Sequence, residues 1–141
     1  PGFLLAALLW PTLISRCTKN NEINIRKFFR SMDGVLREQQ KLTAVPRKFN
    51  SYIKDIWVLQ LKLHSRIKSQ PYKTIRHPRF RAAYDFLLVR EKASSDKNGL
   101  GKWWTDFQKN DDSLRGSLIA KMNEKNDADS SKIFGFYNEL R

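Results

Sequence analysis

Apolar residues recur at three- and four-residue intervals along almost the whole of this 141-residue chain, the period of an α-helix with one buried face. Ile25, Phe28, Phe29, Met32, Val35, Leu36 and Leu42 make one such stripe on a long helix. Pro46 closes that region, because proline disfavours helical backbone in the residue before it. Asn50 or Ser51 is placed to cap the next helix, which carries Ile53, Ile56, Trp57, Leu59, Leu63 and Ile67. Residues 68–77 form a basic connector with room for one helical turn. Pro78 suits the first position of another helix, whose stripe is Phe80, Ala83, Tyr84, Leu87 and Leu88. The turn-rich run SSDKNGLG (94–101) breaks the pattern. Leu100, Trp103, Trp104 and Phe107 mark a short helix after it, and Asp111 or Asp112 can cap one with Leu114, Leu118, Ile119 and Met122. Residues 126–131 read as a polar linker before a last amphipathic helix with Ile133, Phe136, Tyr137 and Leu140. No period-two strand and no internal repeat stands out. The predicted fold is all-α, an irregular multi-helix bundle of about six to eight helices.

The opening, PGFLLAALLWPTLI, is apolar from the start. It has no basic region before it and no small-residue cleavage site after it, a poor fit to a secretory signal. Its apolar run over residues 3–14 is interrupted by Pro11 and falls well short of the ~20 residues a bilayer requires. A buried helix, with partners partly outside this segment, is the expectation, and with Pro1 in first place the chain reads as a piece of a longer protein. No membrane partner is expected.

Composition sharpens this. Nine Phe, four Trp and four Tyr supply a core, which excludes wholesale disorder. The single cysteine, Cys17, excludes an internal disulfide and any multi-cysteine zinc site. It is expected to be a small buried thiol, and it fits a reducing, cytoplasmic setting. The net charge of +13 points to a polyanionic partner. The charge is uneven: residues 1–110 carry +14 and residues 111–141 carry −1. The chain therefore divides into a basic helical body (1–110) and a near-neutral helical tail (111–141).

The densest basic block holds Lys62, Arg66, Lys68, Lys73, Arg76, Arg79 and Arg81, with no Asp or Glu between Asp55 and Asp85. Arg79 and Arg81 fall where a helix begins, a place that ordinarily favours acids. An anion bound there, held by backbone N–H groups and guanidinium forks, would explain the choice, and Tyr72 could offer a face for stacking a base. These residues, Lys62 to Arg81 with Tyr72, form the candidate RNA- or phosphate-binding site. Arginines that snorkel over apolar neighbours or face another helix's C-terminus would explain the block equally well. Arg26, Lys27, Arg30, Arg37 and Lys41 fall off the apolar stripe and are read as a solvated face.

Catalytic chemistry is not expected. His64 and His77 are too far apart for a helical metal pair and have no cysteine beside them. No glycine-rich phosphate loop occurs. Gly116-Ser117 followed by Asp127 and Asp129 has the outline of a nucleotidyltransferase site, whose paired carboxylates hold Mg²⁺ from a rigid sheet. Here the spacer LIAKMNEKN reads as helix and the two acids fall in a linker, so neither a catalytic nor a metal role is assigned to them.

Three stretches, AVPRKFNSYIKDIWVLQ (44–60), HPRFRAAYDFLLVR (77–90) and GKWWTDFQ (101–108), together with PGFLLAALLW at the start, resemble in content and order the C-terminal half of bacterial poly(A) polymerases. These are class II nucleotidyltransferases related to the bacterial CCA-adding enzymes. The resemblance covers roughly residues 1–108, and 77–90 is its most specific part. It implies an RNA-binding helical region that positions RNA for 3′-adenylation. The Mg²⁺- and ATP-using head, and the neck that selects the nucleotide, would lie elsewhere in the same polypeptide. On that view this segment is not itself an enzyme and needs no cofactor, and its partners are RNA and that head and neck. A monomer is expected. One departure is that the family often ends in an arginine-rich tail, whereas this chain ends near neutral. The alternative is a helical protein-interaction domain with no direct RNA role.

Overall fold

Seven α-helices account for nearly all the regular structure among the described residues, 1–43, 46–94 and 99–125 of the computed structural model. The fold is all-α, as the hydrophobic spacing predicts. In chain order the elements are α1 (Gly2–Cys17), a minimal hairpin of β1 (Thr18–Lys19) and β2 (Glu22–Ile23), α2 (Ile25–Leu42), a 3₁₀ turn (Arg47–Phe49), α3 (Asn50–Lys62), α4 (Gln70–Ile75), α5 (Phe80–Ser94), α6 (Leu100–Phe107) and α7 (Asp112–Lys125). The linker and last helix expected beyond residue 125 lie outside the described residues. Packing divides the chain into two compact units, Pro1–Trp57 and Val58–Arg141, a division that differs from the division by charge.

In the first unit α1 packs on α2. Ala6, Leu13 and Cys17 of α1 are buried, as are Ile25, Phe28, Met32, Val35 and Leu36 of α2. Trp10 meets Phe28 edge-on at 6.1 Å. Pro11 does not end the helix: α1 continues through it to Cys17. The hairpin has no counterpart in the sequence expectation, because two-residue strands are too short to show a period. Its signal is the pair Asn20-Asn21. Both residues adopt left-handed backbone (φ 55° and 62°), which asparagine tolerates, and they form the two-residue loop between the paired Thr18–Ile23 and Lys19–Glu22. Asn24 then starts α2, its side-chain Oδ1 accepting the Lys27 N–H at 3.1 Å.

Two further expectations are corrected here. Leu42 belongs to the apolar stripe by spacing, yet is 80% exposed. It is the last residue of α2, and Thr43 after it is already extended. Asn50 and Ser51 lie inside α3 and do not cap it. The chain enters α3 through the 3₁₀ turn, and Asn50 Oδ1 instead accepts a hydrogen bond from Gln40 Nε2. At its buried face, the Trp57 indole N–H donates to the Ala6 carbonyl at 3.0 Å, tying α3 to α1.

The second unit is built around aromatic rings. Phe80, Tyr84 and Leu87 of α5, Leu100, Trp103, Trp104 and Phe107 of α6, and Ile119 and Met122 of α7 bury one cluster with Leu63. Trp103 stacks on Phe107 at 5.1 Å, and Phe80 lies 5.5 Å from Trp104. Gly101 lets α6 approach α5: a Cβ there would collide with Glu91 Oε1 and come within 2.9 Å of Leu88 Cδ2. Gln60 is fully buried, and its amide N–H donates to the Ala83 carbonyl at 3.0 Å while its Oε1 accepts from Arg90 at 2.9 Å. Asp111 caps α7 by accepting the Leu114 N–H at 3.1 Å, one of the two positions expected. The connector at 68–77 does contain its helical turn, α4.

Candidate nucleic-acid interface

The candidate basic residues are set out along four consecutive pieces of chain. Lys62 ends α3, where a cation complements the negative end of the helix dipole. Arg66 and Lys68 follow in the irregular segment before α4. Arg66 lies partly buried with its guanidinium 5.7 Å from the centre of the Trp103 ring. Lys68 is exposed and holds left-handed backbone (φ 55°), an uncommon state for a residue with a Cβ. Lys73 is exposed on α4. Arg76 is the C-cap of α4, and its Nε donates to the Tyr72 carbonyl at 3.0 Å, satisfying an end-of-helix acceptor.

Tyr72 itself is half-buried. Its ring meets Phe107 edge-on at 5.3 Å and lies 6.0 Å from the Arg115 guanidinium, so the structure packs it at the margin of the aromatic core. Arg79 and Arg81 stand exposed at the start of α5. Arg81 also pairs with Asp85 at 3.4 Å and lies 5.4 Å over Tyr84.

The local design at α5 differs from the expectation in one respect. Pro78 is not the first helical residue; α5 begins at Phe80. His77 accounts for the delay. Its ring Nδ1 accepts the Arg79 N–H at 3.0 Å and its carbonyl accepts the Phe80 N–H at 2.9 Å, forming a turn before the first helical bond, from Ala83 N–H to the Arg79 carbonyl. Arg79 is therefore at the cap position and Arg81 in the first turn. Two of the N–H groups available to an anion in the simple picture are already used by His77.

Lys62 and Lys73 do come together. With Leu59, Gln70, Thr74 and His77 they line a cavity of about 100 Å³ in the second unit. Gln70, Thr74 and His77 are not among the site residues expected from the sequence. Their signal is spacing: 70, 73, 74 and 77 share one face of a helical turn, hidden by their position in a short connector.

The other motifs resolve simply. Gly116 and Ser117 sit exposed within α7, a helix that carries residues 118–125 of the spacer after them, while Asn126, Asp127 and Asp129 lie outside the described residues. Cys17 is a free, buried thiol, and burial raises its pKa, so it is a weak nucleophile at neutral pH. Arg26, Lys27, Arg30, Arg37 and Lys41 are exposed along α2. Among the described residues no group of three or more His, Cys, Asp or Glu side chains is placed to hold a metal ion. No helix among them is long and apolar enough to cross a membrane.

A family model described as the polymerase A arginine-rich C-terminus matches residues 20–133. The chain belongs to that family. Poly(A) polymerase I of Escherichia coli O6:H1 is 35% identical over 114 residues, covering 77% of this chain and 24% of that protein. Poly(A) polymerase I of Salmonella typhi is 32% identical over 114 residues, with the same coverage. Poly(A) polymerase I of Haemophilus influenzae is 34% identical over 124 residues, 84% of this chain and 27% of that protein. The chain thus spans about a quarter of the length of these relatives. In this polymerase A C-terminal segment the basic block from Lys62 to Arg81 lies wholly within the matched region.

Proposed function

We propose that this chain is an RNA-holding helical body of a poly(A) polymerase, which keeps RNA in place while its 3′ end is adenylated elsewhere in the same polypeptide. The observation that carries the reading is the acid-free basic block from Lys62 to Arg81, lying inside the segment that matches the polymerase A family. Phosphate contacts would dominate such binding, which makes it salt-dependent and weakly selective for sequence. Lys62, Arg66, Lys68, Lys73, Arg76, Arg79 and Arg81 supply the charge, and Tyr72 supplies an aromatic edge beside them. Adenylyl transfer, with its Mg²⁺ and ATP, falls to the head and neck. On this reading the segment alone does not transfer AMP, works in the cytoplasm and is a monomer.

The test is a titration of the 141-residue chain with single-stranded RNA at 50 and 200 mM salt. If about four phosphates are neutralised, the log–log slope is near −3 and affinity falls roughly fifty-fold over that range.

A second reading has its own observation. Leu4 and Leu8, one turn apart on α1, are 61% and 64% exposed, an apolar face suited to packing against other protein. A chain that fails to bind RNA even at 50 mM salt would favour a protein-interaction role for this segment over RNA holding.

A further inference from the structure

We propose that the cavity lined by Leu59, Lys62, Gln70, Lys73, Thr74 and His77 is a pocket for a single phosphate group. The proposal rests on the RNA-holding reading for its physiological ligand, though not for its chemistry.

The argument begins with how the pocket is made. Leu59 and Lys62 are three apart on the last turn of α3, so they share a face. Gln70, Lys73 and Thr74 share a face of α4, and His77 continues that face into the turn before α5. The lining residues are therefore two lysines, a glutamine, a threonine and a histidine beside one leucine. Among the described residues no carboxylate lines it, and none occurs in sequence from residue 56 to 84. A tetrahedral oxyanion needs several donors converging from different directions, with positive charge to offset its own. This set provides both.

Size decides what can enter. At about 100 Å³ the space holds several waters and hence one oxyanion. It is well below the ~300 Å³ at which pockets begin to enclose a whole ligand of nucleotide size. The volume matches a phosphate group and is too small for a whole nucleotide.

His77 has its tautomer fixed by the fold. Nδ1 accepts the Arg79 N–H at 3.0 Å, so in the neutral ring the proton sits on Nε2, the donor end. Thr74 is only 4% exposed, while Lys73 beside it is exposed.

The phosphate could be one link of an RNA backbone or a free phosphate ion, and the experiment separates the two. The His77 ring resonances of the 141-residue chain are followed by NMR at constant ionic strength, first with inorganic phosphate and then with a short oligoadenylate. Expected is a saturable His77 shift with phosphate that chloride does not reproduce, the same shift with RNA, and displacement of RNA by phosphate. Lys62→Gln, Lys73→Gln and the near-isosteric Thr74→Val each weaken the phosphate response at least fivefold with an unchanged circular dichroism spectrum; Lys92→Gln, elsewhere on α5, leaves it intact.

A response to phosphate without one to RNA keeps the pocket and assigns it to the free ion. RNA binding with no saturable phosphate response, or equal losses from Lys73→Gln and Lys92→Gln, overturns the pocket and leaves the RNA-holding reading standing.

Discussion

The indole N–H of Trp104 donates to the main-chain carbonyl of Leu63 across 2.8 Å, with both residues fully buried. Leu63 lies just past the end of α3, where carbonyls lose their helical partners. One side chain of α6 therefore completes the end of the helix that delivers Lys62. Its neighbour Trp103 is also buried, yet its indole Nε1 has no hydrogen-bond partner among the described residues.

These two tryptophans make a controlled comparison. Trp104→Phe leaves a buried carbonyl without its donor, at about 1–3 kcal/mol, and adds a cavity. Trp103→Phe removes a donor that was making no bond, so only the volume change counts. Denaturant unfolding should show Trp104→Phe less stable than Trp103→Phe by roughly 2 kcal/mol. Equal losses would mean that the Leu63 bond contributes nothing measurable.

Much of this architecture is legible in the sequence, for an identifiable reason. Stripes such as Ile25–Phe28–Met32–Val35 and Leu100–Trp103–Trp104–Phe107 are long or heavy enough to fix both the helix and its buried face. Where spacing misleads, a local feature overrides it. Leu42 keeps the period but runs out of helix. Pro78 has helix-start chemistry, but the His77 ring and carbonyl hold the next two N–H groups in a turn. The Asn20-Asn21 hairpin depends on left-handed backbone at two residues, which no periodicity encodes. The basic block is visible as charge, but the convergence of Lys62 with Lys73 is not, because it depends on the angle at which the short α4 meets the end of α3.

Lys68 offers a way to separate stability from binding. Its φ of 55° costs an ordinary residue about 1 kcal/mol and costs glycine almost nothing. Lys68→Ala and Lys68→Gly remove the same charge, but only the second relieves the backbone. Thermal unfolding should place Lys68→Gly above Lys68→Ala by about 1 kcal/mol, while RNA titrations give both the same reduced affinity and the same shallower salt slope. Different RNA affinities for the two would show that backbone conformation, and not charge alone, sets this contact.

Asp106 supplies a pH dependence. Hydrogen bonds from Lys102 and Lys109, at 3.1 and 3.2 Å, hold its carboxyl below the usual range, and Arg16 does the same for Glu38. A folded-state value below the unfolded one gives stability that is present above the unfolded pKa of roughly 4 and is lost as pH falls through the lower folded value. Stability should therefore decline on acidification below about pH 4. Asp106→Asn, measured by urea unfolding across pH 2–6, should flatten that decline. An unchanged pH profile in this variant would remove Asp106 from the account.

The sharpest check on the interface is a pair of charge reversals chosen so that unfolding cannot imitate the result. Arg79 is at the cap of α5 and Arg81 in its first turn, where acidic residues suit the helix dipole better than arginine. Arg79→Glu with Arg81→Glu loses the Arg81–Asp85 pair, but that pair is largely exposed and worth little. The dipole gain offsets part of the loss, so the double variant should stay folded. Lys121→Glu with Lys125→Glu, in α7 outside the basic block, makes the same change in net charge. RNA titration at fixed low salt should show at least a tenfold greater loss for the arginine pair, because the interface model requires local charge, not total charge. Equal losses would mean that RNA sees only the overall +13, and that the block from Lys62 to Arg81 is not its binding surface.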